Sequence, residues 1–271
     1  MKTTTQKNQK QTVLITGASG GIGYELVKLF AREGYNLVLI ARNGEKLVQI
    51  AQELNQRYSI AVKVITKDLS NPASPEEIFQ ELQQEKISVD ILVNNAGFAI
   101  YGLFNETDLN TELQMLQVNM VSLTHLTKLF LKDMVKQGYG RIMNVASTAA
   151  FQPGPLMAVY FATKAYVLSF SEAIANELEG TGVTVTTLCP GPTESGFQQR
   201  AAMEDSKIVN GKKLMNAETV ARIGYTSLME GKTVVITGIK NKILAASVRF
   251  GTRKTIAKIV RNMQETVTSD Q

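Results

Sequence analysis

The sequence predicts an α/β fold: a doubly wound parallel sheet of about seven strands, with helices on both faces and a C-terminal helical extension. Two observations carry that expectation. Short aliphatic and β-branched runs alternate with helix-length segments along most of the 271 residues, the pattern of repeated βαβ units. The runs are also nearly continuously apolar, as strands covered on both faces must be, whereas half-exposed strands alternate.

Taken in order, the strand candidates are TVLIT (12–16), NLVLIA (36–41), AVKVIT (61–66), DILVN (90–94), RIMNVA (141–146), VTVTTL (183–188) and TVVIT (233–237). Helical patterns fill 22–33, 43–57, 75–86, 112–137, 157–179 and 217–230, and Gly34, Gly138 and Gly180 stand where helices should end. Right-handed crossovers between such units give a parallel sheet. No repeat, low-complexity block or Pro/Gly linker divides the chain. The expected organisation is a polar tail over 1–10, one Rossmann-type catalytic domain over 11–238 and a basic helical extension over 239–271.

Composition narrows the function classes. Hydrophobic residues make up 44% and charged residues 20%, an ordinary globular balance. The single cysteine, Cys189, excludes an internal disulfide and fits a reducing compartment. The opening MKTTTQKNQKQ lacks the apolar core of a secretory signal, and no run approaches the roughly 18 apolar residues of a membrane span. A cytoplasmic address is expected. One histidine, His125, and one cysteine leave no cluster for a metal. Net charge is +5, concentrated at the ends: residues 1–10 hold three lysines and no acid, and 231–271 hold eight basic residues against two acids. Without a recognition motif or stacking aromatics this does not point to nucleic acid. For 240–264 the expectation is packing over the substrate mouth or a dimer contact, with peripheral membrane contact through a basic amphipathic helix as the alternative.

The first strand runs into TGASGGIG, with Thr16, Gly17, Gly21 and Gly23. Glycines at a strand-to-helix turn let a backbone approach pyrophosphate, and the helix N-terminus favours the anion. The spacing is G-x-x-x-G-x-G, not the strict dinucleotide fingerprint. Gly17, Ser19 and Gly21 also match the G-x-S-x-G nucleophile elbow. A serine hydrolase using Ser19 would need an ordered acid and histidine, and His125 is the only histidine. The second strand ends in Ala41-Arg42, where an NAD site usually places an acid on the ribose hydroxyls. A guanidinium there suits a 2′-phosphate, so NADP(H) is the expected cofactor.

In VYFATKAY (159–166), Tyr160 and Lys164 share a helix face at i and i+4. An ammonium beside a phenol, together with a cationic nicotinamide, lowers the phenol's affinity for its proton and makes it a usable acid/base near neutrality. Ser147, at the end of the fifth strand, can face the same crevice.

These motifs together resemble the short-chain dehydrogenases/reductases in their compact single-domain branch, over roughly residues 11 to 236. The resemblance rests on TGASGGIG (16–23), Asp68-Leu69, NNAG (94–97), Asn119, Ser147, Tyr160/Lys164 and CPGPTES (189–195), and is nearest to 3-oxoacyl reductases and hydroxysteroid dehydrogenases. It implies that Tyr160 exchanges a proton with the substrate oxygen, Ser147 hydrogen-bonds that oxygen, Lys164 binds the nicotinamide ribose, and Asn119 holds a water linking Lys164 to solvent. It further implies cofactor contacts from Gly17, Ser19, Gly21, Ile22, Gly23, Arg42, Asp68, Leu69, Asn95, Ala96, Gly97, Pro190, Gly191, Thr193 and Ser195. Gly20 stands where some NADP-dependent members carry a basic residue, leaving the 2′-phosphate to Arg42. Phe98, Ala99, Tyr101, Ala149, Phe151, Pro153, Leu156 and Met157 are expected to line an apolar substrate site, with 196–216 as a lid over it. The expected substrate is a hydrophobic carbonyl or secondary alcohol, 3-oxoacyl or steroid-like, and the expected assembly a homodimer or homotetramer. The alternative class is a non-catalytic nucleotide-sensing or scaffold protein of the same fold.

Overall fold

The computed structural model describes residues 10–203, 206, 207, 209–211 and 213–266. Most of the expected tail over 1–10 and the end of the C-terminal segment lie outside the described residues. Seven parallel strands form one sheet: β1 (Thr12–Thr16), β2 (Asn36–Ala41), β3 (Val62–Thr66), β4 (Ile91–Asn94), β5 (Gly140–Val145), β6 (Val183–Cys189) and β9 (Val234–Ile236), in the order β3-β2-β1-β4-β5-β6-β9. A two-residue pair, β7 (Thr193–Glu194) with β8 (Met215–Asn216), lies outside it.

The continuous apolar runs have the expected cause. Along β1, Val13 and Ile15 face one helix layer, α1 (Gly21–Arg32), α2 (Gly44–Arg57) and α8 (Ala217–Met229), while Leu14 faces the other. That second layer holds α3 (Ser74–Gln84), α5 (Leu123–Gln137) and α6 (Ala158–Glu177), packed with Val38, Ile40, Leu92 and Ile142 of the sheet. Strand side chains alternate between faces, so two cores require both parities to be apolar. The chain winds from β1 outward to β3, then returns to β4 beside β1. Strand order reverses there, and a crevice opens beyond the carboxyl ends of β1 and β4.

The helix expected over 112–137 differs. It begins earlier, as α4 (Leu109–Leu116), and reaches α5 through a π-helical turn, Gln117–Ser122. Such turns take one residue more than an α-turn and recur at functional sites. The C-terminal segment forms α9 (Ile239–Ser247), a 3-10 turn (Val248–Phe250) and α10 (Arg253–Gln264). Among the described residues no helix is long and apolar enough to cross a membrane. The remaining short helix, α7 (Phe197–Arg200), follows β7.

Candidate active site

The glycine turn after β1 is held from two sides. Thr16 Oγ1 accepts from the Asn95 and Ala96 amides, each at 3.0 Å, and Asn95 Nδ2 donates back to the Thr16 carbonyl at 2.9 Å. A Cβ on Gly23 would overlap the Gly17 carbonyl oxygen and the Asn95 amide. Gly23 therefore does not face the crevice. It lets α1 start against the turn, a packing role where a cofactor contact was expected. Gly20 at the N-cap of α1 supplies no capping side chain, and the first turn carries no acid. The amides there and the positive end of the helix dipole are left for an anion.

Beyond the turn lies a cavity of about 660 Å³, within the usual range for ligand sites. Its wall includes Gly17, Ser19, Gly21, Ile22, Arg42, Asp68, Leu69, Asn95, Ala96, Gly97, Ser147, Tyr160, Lys164, Pro190, Gly191, Thr193 and Ser195. Every residue expected to serve catalysis or to contact the cofactor, except Gly23 and Asn119, is therefore on one cavity. Two cations missed from the sequence, Lys46 and Lys67, join Arg42 at one end. Lys46 lies in the first turn of α2, four residues after Arg42, and Lys67, adjoining Asp68, also pairs with Glu77 at 2.6 Å. Asp68 is fixed by accepting the Ser70 amide at 2.9 Å. An uncapped helix N-terminus in the middle and three cations at one end fit a phosphorylated dinucleotide.

Three of the four residues expected to be catalytic, Ser147, Tyr160 and Lys164, also line the cavity. Ser147 follows β5 and caps the 3-10 turn Thr148–Phe151, its Oγ accepting the Ala149 amide at 3.1 Å. Tyr160 and Lys164 are buried on α6. Burial pushes the Tyr160 phenol up to about 12, while interaction with the Ser147 hydroxyl pulls the other way. Burial also pushes the Lys164 ammonium down to about 8. Lys164 Nζ donates to the Val145 carbonyl at 2.8 Å and lies 5.8 Å from the centroid of the Tyr160 ring. This differs from the expected lowering by Lys164 and a cationic nicotinamide: in the protein alone, burial of the phenol dominates and raises it, and the ammonium takes a backbone carbonyl as its hydrogen-bond acceptor.

Asn119 stands behind the wall in the π-helical turn, 1% exposed. Its Oδ1 accepts from the Phe98 amide at 3.1 Å, and its Nδ2 donates to the Phe98 carbonyl at 3.0 Å and to Thr163 Oγ1 at 3.1 Å. A Cβ on Gly97 would come 3.0 Å from Asn119 Oδ1 and 3.5 Å from Lys164 Nζ. The absence of a side chain at Gly97 keeps those two groups within reach of each other.

The substrate end differs in part from expectation. Phe98, Ala149, Met157 and Phe197 line the cavity, joined by Gln152, Phe161, Met203, Val209 and Gln264. Ala99 is buried behind the wall, and Tyr101 donates its hydroxyl to the Gln264 carbonyl at 2.6 Å. Phe151 packs against the cluster of Leu123, Val167 and Cys189. Leu156 takes a left-handed backbone (φ 69°) with its carbonyl accepting from Gly102. Pro153 also lies off the wall. The expected lid over 196–216 includes positions outside the described residues, but its described Phe197, Met203 and Val209 do close on the cavity. Gln264, from α10, is fully buried, and neither side-chain amide atom has a hydrogen-bond partner among the described residues. His125, the only histidine, sits on α5 at 3.7 Å from Glu76. It is not on the wall with Ser19, so the elbow reading lacks its base.

The short chain dehydrogenase family profile matches residues 11–206. The chain belongs to that family of oxidoreductases. It is 31% identical over 232 residues to the ketoacyl reductase HetN of Nostoc sp. strain PCC 7120, covering 86% of this chain and 76% of that protein. A short-chain dehydrogenase from Sphingobium yanoikuyae in complex with NADPH superimposes with a TM-score of 0.79 at 28% identity, covering 96% of this chain and 99% of that one. A 7β-hydroxysteroid dehydrogenase structure gives a TM-score of 0.81 at 26% identity, over 93% and 96% of the two chains.

Proposed function

We propose that this protein is an NADP(H)-dependent oxidoreductase acting on a hydrophobic ketone or secondary alcohol, of the 3-oxoacyl or steroid-like kind. The observation that carries the proposal is the convergence of Ser147, Tyr160 and Lys164 on the same cavity as the glycine turn and Arg42. When bound, the cofactor supplies hydride from its nicotinamide ring. Tyr160 gives its proton to the carbonyl oxygen, a task suited to a phenol kept neutral by burial, and takes it back in the reverse direction. Ser147 donates a hydrogen bond to the same oxygen and stabilises the charge that develops there. Lys164 would hold the nicotinamide ribose through its ammonium. Asn119 fixes the Phe98 loop against α6, and its carbonyl keeps a second lone pair free for a water that returns protons to Lys164.

The apolar wall of Phe98, Met157, Phe161, Phe197, Met203 and Val209 supports a hydrophobic substrate. The likeness to a ketoacyl reductase supports the 3-oxoacyl class. Preference for NADP(H) rests on Ala41 at the end of β2, where an acid would repel a 2′-phosphate, and on Arg42 with Lys46 and Lys67. Exposed Leu109, Leu113, Val121 and Tyr166, on the face formed by α4 to α6, suit self-association into a homodimer or homotetramer. A titration of NADPH and NADH by nicotinamide fluorescence, on the protein and on Arg42→Ala, tests the cofactor assignment. The expected result is a preference for NADPH that falls by about tenfold or more in the variant, since one charge-assisted phosphate contact is removed. Equal affinity for the two cofactors overturns it.

A further inference from the structure

The C-terminal segment divides into two parts with opposite surfaces. One face of α10 turns inward. Ile256 and Val260 pack with the cluster of Met157, Tyr160 and Phe161, and Gln264 reaches the cavity. Those three positions are spaced i, i+4 and i+8, one stripe of the helix. This part packs over the substrate mouth, as expected from the sequence.

The other part behaves differently. α9 buries none of its nine residues. Ile239 and Ile243, one turn apart, and the adjoining Leu244 all face outward, and Ile239 is 75% exposed. The 3-10 turn that follows ends in Phe250, 91% exposed. Isolated exposed aliphatics are common and need no explanation. Four large ones within twelve residues, ending in a bare phenylalanine, concentrate apolar surface that water disfavours in one short segment.

Charge identifies what covers it. Residues 231–264 contain eight lysines and arginines and no acid. Lys232 pairs with Glu230 and Arg261 with Glu265, both acids from outside that stretch. Lys240, Lys242, Arg249, Arg253, Lys254 and Lys258 meet no carboxylate among the described residues, and all six are exposed. A second copy of the chain docking on this face about a twofold axis would set six cations against six. A nucleic acid would answer the charge and leave the aliphatics and Phe250 in water. A bilayer surface with anionic headgroups satisfies both, taking the apolar side chains into the acyl boundary and the cations among the phosphates.

We propose that Ile239–Lys258 is an interfacial anchor that seats the protein on anionic lipid bilayers. The anchor adjoins the cavity at both ends. Asn241 of α9 is packed so closely on Gly191 of the cavity wall that a Cβ there would meet its side chain, and α10 contributes Gln264. In the proposed function a hydrophobic ketone would thus enter from the bilayer, where such molecules concentrate. That consequence rests on the oxidoreductase reading; the anchoring itself does not.

The test is vesicle flotation of the full chain with phosphatidylcholine vesicles carrying about one-third phosphatidylglycerol, against pure phosphatidylcholine. The expected result is flotation with the anionic vesicles only, reversed by raised salt. It should weaken about tenfold or more in Ile243→Glu/Phe250→Glu, and likewise in Lys254→Glu/Lys258→Glu. All four side chains are exposed and off the cavity wall, so NADPH titration of the variants should match the parent and confirms that they fold. Flotation indifferent to lipid charge, or unchanged in both variants, overturns the proposal. So does a concentration-dependent dimer, by light scattering without lipid, that Phe250→Glu abolishes. If flotation behaves as expected and no ketone is reduced, the anchor stands and the catalytic reading falls.

Discussion

Replacing Asn119 by leucine separates a structural from a purely chemical role for the π-helical turn. The substitution nearly conserves volume and removes three hydrogen bonds. Thr163 Oγ1 retains a partner, because it donates to the Tyr160 carbonyl at 2.7 Å. The Phe98 amide and carbonyl lose the Asn119 side chain that pairs both. A buried orphaned group costs about 1–3 kcal/mol, and Phe98 is only half-buried, so the low end applies to each. The sum is about 2–3 kcal/mol, which for a chain of this size lowers Tm by roughly 4–6 °C. Because Phe98 lines the cavity and Thr163 lies between Tyr160 and Lys164, turnover should fall as well. Differential scanning calorimetry with steady-state assays on the same preparations gives both numbers. A Tm within about 2 °C of the parent with turnover lost would refute the clamp and leave Asn119 a purely chemical part.

Two further expectations concern stability. Gly180 and Gly182 both have left-handed backbones (φ 81° and 82°), but only a Cβ on Gly182 would overlap a neighbour, the Gly138 carbonyl oxygen. Gly180→Ala should cost about 1–2 kcal/mol in urea unfolding, and Gly182→Ala more than about 3 kcal/mol, because the backbone must also shift; equal costs would contradict the packing described. Lys164, held at about 8 against 10.5 in an open chain, makes the unfolded state bind more protons above pH 8, so this site adds stability as pH rises. Cys189 and Tyr160, both pushed up to about 12 by burial, act in the opposite sense above about pH 9 and 10. The rise should therefore show between about pH 8 and 9 as a difference between the parent and Lys164→Met; parallel pH curves would mean that the amine is not desolvated.

The sheet was legible because its determinants are local. Each strand needs apolar residues at both parities, and each helix end needs its glycine, within a few residues of sequence. The glycine turn, Ser147 and the Tyr160/Lys164 pair were legible for the same reason, being short-range spacings at strand ends. What escaped depends on contacts between distant segments. The π-helical turn forms where Asn119 meets Phe98 and Thr163, 21 and 44 residues away, and its sequence QVNMVS continues a helical pattern. Gly23 looked like a cofactor contact, because spacing cannot tell a glycine that faces a ligand from one that faces a neighbouring carbonyl. Tyr101, Phe151 and Leu156 were assigned to the wall because loop residues have no period from which to read direction. Lys46, Lys67 and Gln264 reach the cavity from three separate elements, and nothing in their local sequence marks them. The direction of the Tyr160 shift is set by the burial of its phenol, which the spacing of Tyr160 and Lys164 on a helix does not reveal.

The most direct test of the central claim is Tyr160→Phe, read as oxidation of NADPH in the presence of a hydrophobic ketone and, separately, as NADPH binding. Phenylalanine fills the same space, and the Ser147 hydroxyl keeps the Ala149 amide as a partner, so the fold and the cofactor site should persist. Removing the proton donor should lower kcat about 10²- to 10⁴-fold with the NADPH affinity nearly unchanged. A variant that turns over as fast as the parent, or a parent that binds NADPH and reduces no carbonyl, would contradict the account.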